Sequence, residues 1–176
     1  PYTTLFRSSW LNIAAEVGII ALPVGLLMIA GEFDISVGSI VPASSMTVAM
    51  LSGHYDLPAT VGILGGLAVG VSIGFVNGLL VTRTTIPSLI VTIGVMFAVM
   101  GLTLGFAVLL KGSTSVSYVP HPTAKFLLGQ FINYMFSVAI FWWFAFVAFF
   151  FYILHISPLG NWIFAVGGDR ESARNA

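Results

Sequence analysis

Leu57-Pro58-Ala59-Thr60-Val61-Gly62-Ile63-Leu64-Gly65-Gly66-Leu67-Ala68-Val69-Gly70-Val71-Ser72-Ile73-Gly74-Phe75-Val76-Asn77-Gly78-Leu79-Leu80-Val81 contains no charged residue. A helix needs about 20 apolar residues to cross a bilayer, so this stretch predicts a transmembrane helix. Gly62, Gly66, Gly70, Gly74 and Gly78 recur within it at every fourth position. Each step turns a helix by about 400°, so the glycines form one slowly winding stripe about 24 Å long. Small residues let two backbones approach closely, and right-handed crossings suit such a stripe. It reads either as intramolecular helix packing or as a subunit interface, with Gly101 and Gly105 as one candidate partner surface.

The rest of the chain agrees with that reading. Of its 176 residues 58% are hydrophobic and 7% charged. A soluble domain carries about a quarter charged residues. The expected fold is therefore all-α and polytopic, with about five membrane segments. The other four run about Leu11 to Ala30, Ile35 to Leu51, Ile86 to Leu110 and Phe131 to Ile156. Pro42, Ser44, Ser45 and Thr47 interrupt the second, which is expected to be short, tilted or broken and buried against protein. The fifth is dense in aromatics on all sides, from Phe141 to Tyr152, and reads as a lipid-facing outer helix.

Zero net charge argues against nucleic acid as a partner, and the absence of cysteine excludes disulfides and thiolate sites. His54, His121 and His155 are far apart and show no ligand spacing. Pro1 to Ser8 read like the translation of a sequencing-adapter oligonucleotide, so these residues are expected to be non-native and the chain a fragment broken at both ends. Residues 9–156 then form a partial membrane core, and 157–176 a truncated cytoplasmic segment.

If the segments alternate, Arg83, Arg170 and Arg174 share one side, while Lys111 and Lys125 share the other. The positive-inside rule places Arg83 and the tail in the cytoplasm. Glu32 and Asp34 then lie near the cytoplasmic surface, and His54 and Asp56 outside.

Gly31-Glu32-Phe33-Asp34-Ile35-Ser36-Val37-Gly38-Ser39 separates the first two segments. A carboxylate at bilayer depth costs roughly 2.5 to 3.5 kcal/mol. Gly31 suits the position that closes a helix, and Asp34 or Ser36 suits an N-cap. The run reads either as a helix–turn–helix at the interface or as a polar element lining a translocation path. Glu16 is a second intramembrane carboxylate, and Asn77 needs a hydrogen-bond partner if buried. Both are candidate pathway or structural polar residues. Pro87 fits the first turn of a helix. In the tail, Gly167-Gly168 reads as a turn, Asp169 as an N-cap and Glu171 to Ala176 as a short exposed helix.

Three motifs carry a family resemblance. Glu32-Phe33-Asp34-Ile35-Ser36-Val37-Gly38-Ser39 resembles the G-x-x-D-L-S-V-G-S signature of the permease subunits of bacterial ABC importers for ribose, xylose and related simple sugars. Asn77-Gly78-Leu79-Leu80-Val81-Thr82-Arg83, with Ile86-Pro87-Ser88-Leu89-Ile90-Val91-Thr92-Ile93-Gly94, is similar to the family's N-G-x-x-V-x-x…I-P-x-F-I-x-T-L-G. Phe164-Ala165-Val166-Gly167-Gly168-Asp169, with Glu171, Ala173 and Arg174, resembles its Y-A-x-G-G-N-x-x-A-A-R. The motifs occur in the family's order. Glu32, Asp169 and Ser172 depart from the ribose-type pattern.

The resemblance implies an inner-membrane permease that pairs with a second permease subunit, as homo- or heterodimer. It further implies cytoplasmic ABC ATPase subunits as partners, with ATP and Mg bound there. A periplasmic or lipid-anchored binding protein would deliver the sugar. No cofactor is expected on this chain, which lacks a Walker-type glycine loop with its lysine. By the same resemblance Gly167, Gly168, Asp169, Glu171, Ala173 and Arg174 couple to the ATPase. The alternative is an ion-coupled secondary transporter using Glu16, Glu32 or Asp34. An enzyme is not expected, because no nucleophile, base or metal ligands are grouped.

Overall fold

A computed structural model describes residues 2–116, 122–129, 131–132 and 136–169, the side chains of 2–8, 123 and 127 excepted. Helix α1 spans Tyr2–Ile29, α2 Val37–Ala49, α3 Ala59–Arg83 and α4 Ser88–Lys111. A short α5 follows at Pro122–Ala124, then strands β1 at Phe131–Ile132 and β2 at Phe136–Ser137. Helices α6 at Ala139–His155 and α7 at Pro158–Gly168 complete the described chain. These elements form two compact units, one of residues 1–33 and 125–176, the other of Asp34–Ala124.

The fold is all-α and suited to a membrane, but the described residues do not confirm all five expected spans. Among the described residues three helices are long and apolar enough to cross: Ser9–Ile29, Ala59–Arg83 and Ser88–Lys111. A fourth crossing exists only if α6 and α7, bent by 70°, count as one broken span. The second expected segment fails on length. Its 13 helical residues rise about 20 Å, against a hydrocarbon core of about 30 Å. It then loosens into a π-helical turn, Met50–His54. The fifth starts later than its apolar run suggested. Phe131 pairs with Ser137 and Ile132 with Phe136 in an antiparallel hairpin, and the helix begins only at Ala139. The Ser137 hydroxyl accepts the Ala139 N–H at 3.2 Å, a local bond that marks the helix start.

In the first unit, α1 packs against α6 and its C-terminal end meets α7. Gly18 of α1 faces the Trp143 indole, so α6 is not lipid-facing all round. Phe141, Phe144, Phe149 and Phe151 do remain exposed. Asn12 of α1 accepts the Ser137 N–H at 2.9 Å and so holds β2. The end of α1 is closed by two bonds, Gly31 N–H to Met28 O at 3.1 Å and Glu32 N–H to Leu27 O at 2.9 Å. With Gly31 at φ 79° this is a Schellman motif, the C′ role expected of Gly31.

In the second unit, α2 packs on both α3 and α4. Ser36 at the start of α2 meets Asn77 late in α3, whereas Ser52 beyond its end meets Gly62 early in α3. The two helices are therefore antiparallel. Thr92 in the second turn of α4 meets Ile35, so α4 runs parallel to α2. Asp34 and the end of α3 that carries Arg83 thus lie at one end of this unit, as alternation of the segments requires.

Candidate functional site, a polar clasp between two motifs

The acidic run enters α2 through a compact turn. The Asp34 carboxylate oxygen Oδ1 accepts the Ser36 N–H at 2.8 Å and the Ser36 hydroxyl at 2.6 Å. Asp34 thus closes an Asx turn just ahead of α2, while Ser36 occupies the N-cap position and makes no side-chain cap bond. Ser39 donates to the Ser36 carbonyl at 2.7 Å, and both serines are buried.

Asn77 joins this turn from α3. Its Nδ2 donates to the Ser36 hydroxyl at 2.7 Å and lies 3.4 Å from Asp34 Oδ2. Ser36 is therefore shared, accepting from Asn77 while donating to Asp34. The pattern fixes the amide, because the opposite flip would turn Asn77 Oδ1 toward a carboxylate that only accepts. Asn77 is 4% exposed, and its Oδ1 has no hydrogen-bond partner among the described residues. From α4, Thr92 Oγ1 accepts the Ile35 N–H at 3.3 Å. Three segments therefore meet in one polar cluster, with low-dielectric surroundings strengthening each bond.

This cluster contains Asp34, Ser36 and Ser39 of the expected turn and Asn77 of the expected polar residues. Gly38 N–H donates to the Ile35 carbonyl at 3.2 Å in the same turn. Glu16 is exposed on α1. Thr92 was not singled out from sequence, although it carried a signal. Ser88 and Thr92 are hydroxyl residues four apart at the start of an apolar helix, and both are buried.

The glycine stripe divides. A side chain at Gly62 would collide with Ser52. A Cβ at Gly66 would sit 2.9 Å from Val48 and 3.1 Å from the Ser44 carbonyl, and one at Gly70 3.5 Å from Ile40. The facing surface is α2. Gly101 and Gly105 have open space where a Cβ would go, as do Gly74 and Gly78.

The tail differs from its expected form. Gly167 and Gly168 are not a turn but the last residues of α7. Pro158 explains the shift: it occupies the first helical position, where its missing N–H costs nothing, and starts a helix directly after Ser157. Asp169 closes this helix, its N–H donating to the Ala165 carbonyl at 3.1 Å. Gly167 lies so close to the Ile29 carbonyl that a side chain would overlap it, whereas Gly168 faces open space. Glu171, Ala173 and Arg174 lie outside the described residues, as does His121. No group of three or more His, Cys, Asp or Glu side chains placed to hold a metal occurs among the described residues.

Long apolar helices with few charges, two of them meeting the short α2 at a small hydrogen-bonded cluster, define an all-α, multi-pass membrane protein. The model of a family described as the branched-chain amino acid transport system permease component matches residues 6–176, and the chain belongs to that family. It is 28% identical to a fructose import permease of Rhizobium meliloti over 167 residues, covering 92% of this chain and 46% of the relative. It is 31% identical to a xylose/arabinose import permease of Sulfolobus acidocaldarius over 177 residues, covering 97% and 46%. An L-arabinose ABC transporter permease of Azospirillum brasilense is 32% identical over 160 residues, covering 89% and 44%. The chain thus spans less than half the length of these relatives. No solved structure matches it.

Proposed function

We propose that this chain is part of the transmembrane permease subunit of an ATP-driven importer, moving a simple sugar or similar small polar solute across the bacterial inner membrane. The observation that carries this reading is the match of residues 6–176 to a transport permease family. Relatives named as fructose, xylose/arabinose and L-arabinose permeases support the sugar class. The scarcity of charge along the spans suits a neutral solute, since such a solute needs no counter-charge along its route.

The partners proposed are a second permease subunit, cytoplasmic ATP-binding subunits that carry ATP and Mg, and a binding protein that delivers the solute. In this reading the clasp positions rather than transports. Asp34 spends Oδ1 on Ser36 and so holds the start of α2 in register with α3. Gly167, Gly168 and Asp169, with Glu171, Ala173 and Arg174, remain the proposed coupling segment. There Gly167 would carry a push from the ATPase to the end of α1 through its backbone contact with Ile29.

Uptake of labelled arabinose, xylose and fructose by the full-length protein with its neighbouring genes tests the proposal. Transport is expected to stop when the ATP-binding subunit is deleted. Uptake that persists without that subunit, or that collapses with the ion gradient while ATP is present, overturns it in favour of an ion-coupled carrier.

A further inference from the structure

A cavity of about 390 Å³ lies among α2, α3 and α4. Its lining is almost wholly apolar, and its two threonines are already engaged. Thr47 donates to the Ala43 carbonyl at 2.9 Å and Thr103 to the Val99 carbonyl at 2.7 Å, each within its own helix. A polyhydroxy solute entering here would lose its hydration and meet only the Tyr55 hydroxyl beside the two engaged threonines, too few polar groups to offset a cost of several kcal/mol. The cavity therefore does not suit the transported solute.

Its dimensions suit a different occupant. Along α4 the lining runs from Val99 to Leu110, about 17 Å at 1.5 Å per residue. One leaflet is about 15 Å deep, half of a hydrocarbon core of about 30 Å. The slot thus reaches from near mid-bilayer to the helix ends, where Tyr55 lines it and Lys111 follows Leu110. An aromatic ring and an ammonium at that level match the interface between acyl chains and headgroups. Among the described residues the Lys111 ammonium donates to the exposed Ser115 carbonyl, at 3.1 Å, a bond that a phosphate oxygen can replace.

We infer that this cavity is a lipid site, holding one acyl chain of an anionic phospholipid with its phosphate beside Lys111. The inference requires only that the helices stand in a membrane and is independent of the transport reading. Ala43, Met46, Thr47, Met50, Leu51 and Tyr55 line one wall of the slot and the stretch Val99 to Leu110 of α4 lines the other, so the acyl chain packs between the two helices.

The test uses the full-length protein in phosphatidylcholine vesicles containing a small fraction of phosphatidylglycerol, with a photoreactive diazirine partway along one acyl chain. Bulk lipid labels residues by exposure, favouring Leu64 and Phe75, which are 66% and 69% exposed on α3. A seated chain instead labels Met50, which is 7% exposed. The expected result is labelling of Met50 at least equal to that of Leu64. Ala107→Phe, which fills the slot, should reduce Met50 labelling at least fivefold and leave Leu64 unchanged. Should that variant fail to insert, Ala43→Leu serves the same purpose. Labelling that follows exposure and spares Met50, as it would if another protein segment filled the cavity, overturns the inference. So does labelling of Met50 that survives both fillings.

Discussion

Asn77 Nδ2 donates to Ser36 Oγ across 2.7 Å, linking residues 41 apart in sequence and two motifs that are separate in the chain. Removing either partner takes this 2.7 Å bond from the other in a buried site, so the pair is measurable. Hydrogen bonds between membrane helices contribute about 0.6 kcal/mol on average and up to about 1.7. A double-mutant cycle of Asn77→Ala and Ser36→Ala, read by thermal unfolding in detergent, should give a coupling at the upper end of that range, because Ser36 also donates to Asp34. A coupling near zero would show that the bond adds nothing to stability.

The divided glycine stripe predicts divided responses. Gly66→Val forces a side chain into Val48 and the Ser44 carbonyl, an overpacking that costs typically 1–3 kcal/mol. Gly74→Ala meets nothing within 4 Å and gains the helix propensity of alanine, about 1 kcal/mol. Thermal unfolding should therefore rank Gly66→Val below the parent and Gly74→Ala at or above it. Equal losses would mean that the lower half of the stripe is also covered, as at a subunit interface.

Gly31 carries a conformational prediction. At φ 79° it occupies the left-handed region, which costs an L-residue roughly 1–2 kcal/mol. Gly31→Ala should lower stability by about that amount, and Gly31→Asn by less, because asparagine tolerates this region. Unfolding midpoints of the two variants would check the order. Identical losses would indicate that lost contacts, rather than the backbone, set the cost.

These positions also show what the sequence could and could not convey. Gly31 was legible because helix closure is local chemistry: one residue, one sign of φ and two backbone bonds. The shortness of α2 was legible from Pro42 and its neighbouring hydroxyl residues. The partner of the glycine stripe was not, because a stripe records only its own smallness and nothing of the helix lying on it. Asn77 announced that it needed a partner, but the choice of Ser36 depends on the antiparallel packing of α2 and α3. The late start of α6 was hidden by hydropathy, since Phe131, Ile132 and Phe136 are as apolar in a hairpin as in a helix. The tail was misread for a related reason. Gly167-Gly168 is a turn signal by composition, yet the helix begun at Pro158 carries through both glycines because one of them meets the backbone of α1.

That contact yields the last prediction. Gly167 and Gly168 are chemically identical neighbours in one motif, so a role set by composition alone would make them equally sensitive. Their surroundings differ: a side chain at Gly167 overlaps the Ile29 carbonyl, while one at Gly168 meets open space. Gly167→Ala must push the end of α7 away from α1, and backbone atoms cannot yield as a flexible side chain can. If α7 transmits force from an ATPase to the membrane helices, Gly167→Ala should reduce solute uptake at least tenfold, while Gly168→Ala leaves it within about twofold. Uptake and ATP hydrolysis should be measured together in the reconstituted full-length importer. Lost uptake with retained hydrolysis would identify an uncoupled transporter. Equal uptake by the two variants would remove the α1–α7 contact from the coupling route.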